Sequence, residues 1–218
     1  MKTTHSLQKF TILFFCFITF YTATNAQQRI GILGGVNIPR LVSDDGFGKS
    51  TGIMVRYHVG LFANLKLTDQ LSIEPVLGYS HKGWCFDSLS VVGAGSMNLH
   101  YAEAKLLLKY ALNDNFSITG GTAFNYLLKT IRKPEIFFSY TNFYEKIDIS
   151  AILGIDSQLN ERIGIYSRLE YGISYLSTST LTDMNGNEIE TIKDGHNLVL
   201  QIGLTFNLLN KDKADNSN

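Results

Sequence analysis

Apolar and polar residues alternate with a period of two in eight stretches of this chain, and helical periodicity of useful length appears nowhere. In the second stretch Ile53, Val55, Tyr57, Val59, Leu61, Ala63, Leu65 and Leu67 are almost wholly apolar, while Met54, Arg56, His58, Gly60, Phe62, Asn64 and Lys66 fill the positions between them. Successive side chains of a strand point to opposite faces, so this segment carries one apolar face and one polar or glycine face. The last stretch sets Leu198, Leu200, Ile202, Leu204, Phe206 and Leu208 against Asn197, Gln201, Gly203, Thr205 and Asn207. Residues 147–158 and 163–175 repeat the pattern, and residues 29–38, 71–82, 99–112 and 116–128 follow it with lapses. Eight strands are therefore predicted.

The connections between these stretches alternate in length. Thr68-Asp69-Gln70, Asn113-Asp114-Asn115 and Asn160-Glu161-Arg162 are tight polar turns, whereas 39–51, 83–96, 129–145 and 177–195 are long. Short turns on one rim and long loops on the other mark an up-and-down barrel that crosses an outer membrane, with the short turns periplasmic. An even strand number then puts both termini in the periplasm. Strands of 9 to 14 residues suit the roughly 9 to 11 that a tilted crossing requires.

A soluble container with its apolar face inward would also alternate, and the polar face decides between the two. That face holds Gly31, Gly35, Gly60, Gly78, Gly121, Gly154 and Gly203 with Ser72, Ser117 and Ser150, residues that suit the crowded interior of an eight-stranded barrel. It also holds six bases, Arg56, Lys66, Lys82, Lys105, Lys109 and Arg168, and five acids, Glu74, Glu103, Asp148, Asp156 and Glu170. Inside a barrel these are expected to pair as one network, because an isolated buried charge costs several kcal/mol. The expectation is a plugged polar core. The outward face becomes a lipid-contacting band, with Tyr57, Tyr79, Tyr101, Tyr110, Phe116, Tyr126, Tyr171, Tyr175 and Phe206 as candidates for interfacial girdles.

Composition narrows the picture further. Lys plus Arg and Asp plus Glu balance at 19 each, which leaves no net field to attract nucleic acid. Aromatics at 12% with three prolines suit sheet. Residues 1–26 read as a signal peptide: Lys2, His5 and Lys9 precede an apolar run of 12 residues, 10–21, and Ala23-Thr24-Asn25-Ala26 makes a small-residue cleavage site. Twelve residues fall short of the roughly 20 that a spanning helix needs. The mature chain then comprises a barrel at 27–210 and a polar periplasmic tail at 211–218, with Cys85 its single thiol and no internal disulfide.

Specific stretches resemble a known family. VGLFANLKLTDQLSIEPVLGYSHKGW (59–84), LHYAEAKLLLKY (99–110), GILGGVNIPRL (31–41) and LVLQIGLTFNL (198–208) resemble the strand units of the small outer-membrane β-barrels of Bacteroidota often labelled PorT-like. The resemblance covers 29–208. It implies a Gram-negative outer-membrane location and a role in membrane integrity or in a surface or secretion assembly. The partners it implies are outer-membrane lipid, the barrel-assembly machinery, and surface or secretion proteins.

Small barrels of this kind include enzymes, which makes catalytic sets worth seeking. Counting across the turn at Asp69 places His58 opposite Ser80 on the inward face. A Ser/His pair needs an acid and an oxyanion site, and Glu74 lies six residues from Ser80, roughly 20 Å along the strand. Asp44-Asp45-Gly46-Phe47-Gly48 and Asp183-Met184-Asn185-Gly186-Asn187 lack the full oxygen set of a calcium loop and read as turns. Gly34-Gly35 opens no dinucleotide fingerprint. Phe137, Phe138, Tyr140, Phe143 and Tyr144 make the third long loop aromatic, as for an upper interfacial belt. The reading is a non-enzymatic barrel with no cofactor, metal or catalytic residues; an enzyme acting on lipid or peptide at the extracellular rim is the alternative.

Overall fold

The alternating stretches become the walls of a closed barrel. The computed structural model describes residues 28–43, 52–86, 94–133, 144–182 and 188–210. The signal segment 1–26, the tail 211–218, the acidic turns at 44–48 and 183–187 and the aromatic residues at 137–143 lie outside them. Among the described residues ten strands form in chain order: β1 Gln28–Val42, β2 Arg56–Lys66, β3 Leu71–Phe86, β4 Gly95–Ala111, β5 Phe116–Lys133, β6 Ile147–Gln158, β7 Ile163–Gly172, β8 Ser177–Thr182, β9 Glu188–Asp194 and β10 His196–Asn210. Eight of them close antiparallel in the order β1-β10-β7-β6-β5-β4-β3-β2. The fold is the expected all-β, eight-stranded antiparallel barrel. Strands β8 and β9 are an addition: they pair with each other as a hairpin in the connection between β7 and β10.

Each short turn is closed by its own polar side chain. Thr68 Oγ1 accepts from the backbone N–H of Leu71 at 3.0 Å, Asn113 Oδ1 from Phe116 at 2.8 Å, and Asn160 Oδ1 from Ile163 at 2.9 Å. This local hydrogen bonding is why Thr and Asn open these turns. It also sets the register of each strand pair.

The apolar face points outward. Leu77, Leu153 and Leu61 are 67%, 65% and 61% exposed, while the polar residues beside them on the same strands are buried. The exposed girdle candidates fall in two bands, Tyr110, Phe116 and Phe206 toward the short turns and Tyr57, Tyr126, Tyr171 and Tyr175 toward the long loops. Tyr101 corrects the girdle expectation: it is fully buried inside the barrel. The cause is plain alternation: Tyr101 shares the inward parity of Leu99, Glu103, Lys105 and Leu107 along β4, and the shift opposite His100/Tyr101 falls on β5.

The strands also outrun their predicted ends at the long-loop rim. β1 continues through Pro39 because Pro39 to Val42 pair with Val199 to His196, and β3, β4 and β5 pair on to Phe86, Gly95 and Lys133. β3 does so through Gly83, whose φ of +138° is open to glycine, and a Cβ there would lie 2.0 Å from the Met97 carbonyl oxygen. At the opposite wall a Cβ on Gly203 would meet the Tyr166 ring and the Gly34 carbonyl, so this glycine makes room for a lumen side chain.

Candidate functional site

The lumen is filled by side chains stacked in layers. Following β3 away from the short turns, its inward positions read Ser72, Glu74, Val76, Gly78, Ser80, Lys82 and Trp84, alternating charge, apolar and charge. β4 contributes Lys109, Leu107, Lys105, Glu103, Tyr101 and Leu99 in the same direction, and β7 Tyr166, Arg168 and Glu170. The walls are about one side chain apart, so groups from opposite strands meet.

Nearest the short turns, Arg168 Nη2 donates to Glu74 Oε1 at 3.0 Å and Asp156 Oδ1 at 2.6 Å. Lys109 Nζ lies 2.5 Å from Glu74 Oε2 and 3.2 Å from the same Asp156 oxygen, which completes a ring of two cations and two anions. Thr119 donates to the other Asp156 oxygen. The Arg168 guanidinium also sits 4.4 Å from the centre of the Tyr166 ring, and Tyr166 is hydrogen-bonded to His58.

A second ring lies toward the long loops. Lys82 Nζ contacts Glu170 Oε1 at 2.5 Å and Glu103 Oε1 at 3.2 Å, while Lys105 Nζ contacts Glu103 Oε2 at 3.0 Å and Glu170 Oε2 at 3.6 Å. Gln201 accepts from Lys105 at 2.8 Å, and Asn125 donates to Glu170 at 3.0 Å. Each ring joins β3 and β4 to β7 across the lumen, and each is neutral. Mutual pairing plus hydrogen bonds to the remaining oxygens is what makes so many buried charges tolerable.

Apolar layers separate and cover the rings. Leu33, Phe62, Val76, Leu107, Ala123, Ile152 and Tyr166 form one cluster, and Leu41, Trp84, Met97, Leu99, Tyr101, Leu127 and Leu176 form the other at the long-loop end. Tyr144 packs against this upper cluster, its ring 5.9 Å from Trp84 and nearly perpendicular to it. It is therefore part of the cap, which corrects its assignment to an outer belt. At the short-turn end a vestibule of about 550 Å³ includes Lys66, Asn64 and Gln70 in its lining and is floored by Glu74, Lys109 and Asp156.

Of the eleven charged residues expected in one network, eight form the two rings. Asp148 stands apart, buried and accepting from Asn197 at 2.7 Å and Ser174 at 3.1 Å. Lys66 lines the vestibule, and Arg56 reaches Asn98 at the other rim. His58 and Ser80 face each other as counted, but His58 is engaged by Tyr166 and Ser80 Oγ accepts from Asn37 at 2.9 Å. Among the described residues no group of three or more His, Cys, Asp or Glu side chains has metal-holding geometry. The layering, the Asn37–Gln201 link at 3.1 Å and the upper apolar cap had no periodic signal in the sequence, since they depend on which strands face each other across the barrel.

The sequence pattern of the outer membrane protein beta-barrel domain family matches residues 25–178. The chain belongs to that family. Membership places this outer-membrane barrel in the cell outer membrane. Among solved structures it is similar to OprG of Pseudomonas aeruginosa, with 18% identity, a TM-score of 0.47, and coverage of 84% of this chain and 96% of that chain. It is similar also to Ail of Yersinia pestis crystallised with the heparin analogue sucrose octasulfate, at 13% identity, a TM-score of 0.43 and coverage of 83% and 99%. Outer Membrane Protein W of E. coli follows at 12% identity, a TM-score of 0.43 and coverage of 84% and 100%. No protein of curated function matches the chain.

Proposed function

We propose that this outer-membrane barrel is a non-enzymatic, non-conducting protein that serves membrane integrity or a surface or secretion assembly, as its resemblance to PorT-like barrels implies. Its short turns and both termini face the periplasm, and its long connections, with the β8–β9 hairpin, face outward. The supporting observation is the closed lumen: two neutral four-residue ion rings tie opposite walls together, with an apolar layer between them and another above. An ion crossing this interior would have to displace a ring member, and leaving its partner unpaired costs several kcal/mol. The parts left available for partners are the rim, the loops and the outer wall.

Recording from purified protein in planar bilayers tests this reading. The expected trace has no steady conductance steps. Stepwise ohmic conductance in the unmodified protein would overturn it.

A further inference from the structure

The outer wall carries a polar cluster that neither the lumen nor the barrel closure requires. It lies where β2, β3, β4 and β5 reach the long-loop rim, at the level of the upper aromatic band. His81 and His100 face each other across β3 and β4 with their imidazoles stacked, centroids 4.3 Å apart and planes 19° off parallel. Tyr57 lies edge-on to His81 at 5.7 Å and tilted to Tyr79 at 5.8 Å, and Tyr79 is hydrogen-bonded to His100 Nδ1. On the far side of His100 its register partner on β5 is Lys129, which is exposed.

Arg56 enters the same cluster from β2. Its Nε and Nη2 donate to Asn98 Oδ1 at 3.1 and 2.7 Å, and His81 Nε2 lies 3.2 Å from that oxygen. Three N–H groups thus converge on one neutral amide oxygen. The remaining guanidinium contact, Nη1 to the Val55 carbonyl at 3.0 Å, is also neutral. Among the described residues neither Arg56 nor Lys129 has a carboxylate within ion-pair distance, whereas the lumen pairs its cations in closed rings. Glu145 and Lys146, just ahead of β6, are both exposed, and the Lys146 carbonyl accepts from the Leu127 N–H of β5.

We propose that Arg56, His81, His100 and Lys129, framed by Tyr57 and Tyr79, form a docking site on the outer wall for the phosphate headgroup of an outer-leaflet lipid. The inference rests on the outer-membrane orientation given above. Charge complementarity selects the occupant: a guanidinium and an ammonium group with no carboxylate partner among the described residues match a phosphate at the headgroup level, and the stacked imidazoles between them set their spacing. The tyrosine rings suit the boundary between headgroup and acyl chains, where one side of a ligand is polar and the other apolar. A lipid phosphate brings both parts, and its chains continue down the apolar band below.

The test is native mass spectrometry of the folded full-length protein in detergent, with bisphosphorylated lipid A and phosphatidylglycerol as competing probes. Heat-modifiable migration on gels confirms that each variant is folded. The wild type is expected to retain lipid A about tenfold over phosphatidylglycerol, the scale of losing or keeping two charge-assisted contacts. Arg56→Gln/Lys129→Gln is expected to erase that preference, while Lys211→Gln/Lys213→Gln, with the same charge loss in the tail, keeps it. Equal retention of both lipids by the wild type, an unchanged preference in R56Q/K129Q, or an equal fall in the tail variant each overturns the site. Because the binding is read in micelles, these outcomes are separate from a failure of the barrel to insert into bilayers, which would sink the outer-membrane reading instead.

Discussion

Replacing Arg168 with Leu is expected to destabilise the barrel by about 3–5 kcal/mol, the cost of breaking a buried ion pair by removing one partner. The guanidinium is almost fully buried and holds Glu74 and Asp156 together at 3.0 and 2.6 Å. Without it, two carboxylates confront Lys109 alone, and the lower ring carries a net negative charge among largely buried groups. The loss is read as a lowered urea midpoint for unfolding from detergent micelles. Arg168→Leu/Glu74→Gln restores the neutrality of the ring and is expected to recover a large part of the midpoint. If the double variant were no better than R168L, the ring would not act as a charge-balanced unit.

The outer wall gives the second large effect. Leu153 is 65% exposed near the middle of β6, and Leu159, 62% exposed, sits at the turn beyond the end of the same strand. Arginine at the bilayer midplane of a barrel costs about 2–4 kcal/mol, and near the interface about 0–1. Leu153→Arg is therefore expected to lower stability in lipid vesicles markedly and Leu159→Arg hardly at all. The same pair in a water-exposed wall would show no such depth dependence. Equal, small effects at both positions would place this face in solvent.

Several parts of the architecture were legible in the sequence because they are local. β6 runs from Ile147 to Gln158, where strict alternation placed it, and the three tight turns are closed by the Thr and Asn side chains that marked them. The sidedness of the wall followed from glycine and charge sharing one parity. What escaped was set by departures from parity or by distance. Tyr101 follows the inward parity of Glu103, the shift opposite it falls on β5 and turns Lys129 outward, and Gly83 lets β3 continue past its last alternating residue. The hairpin of β8 and β9 is short and sits above the barrel, so its STSTLT and EIETIKD segments read as loop.

The interior charges show the same division. Alternation identified which residues point inward, but the partition into rings depends on register accumulated around eight strands. Lys82 meets Glu170 from 88 positions away, and Arg168 meets Glu74 from 94. Asp148 is paired instead with Asn197 and Ser174, polar groups that carry no charge signal. Arg56, inward by simple alternation, sits at the first residue of β2, where its long side chain reaches Asn98 at the rim.

Spin labels at Leu77, Leu106, Leu153 and Leu204 of the Cys85→Ser protein, reconstituted in phospholipid vesicles, test the central claim most directly. High accessibility to oxygen and low accessibility to a water-soluble nickel chelate are expected at all four sites, because acyl chains cover them. Labels that collide freely with the chelate and not with oxygen would show these leucines facing water, and would contradict a membrane-spanning barrel.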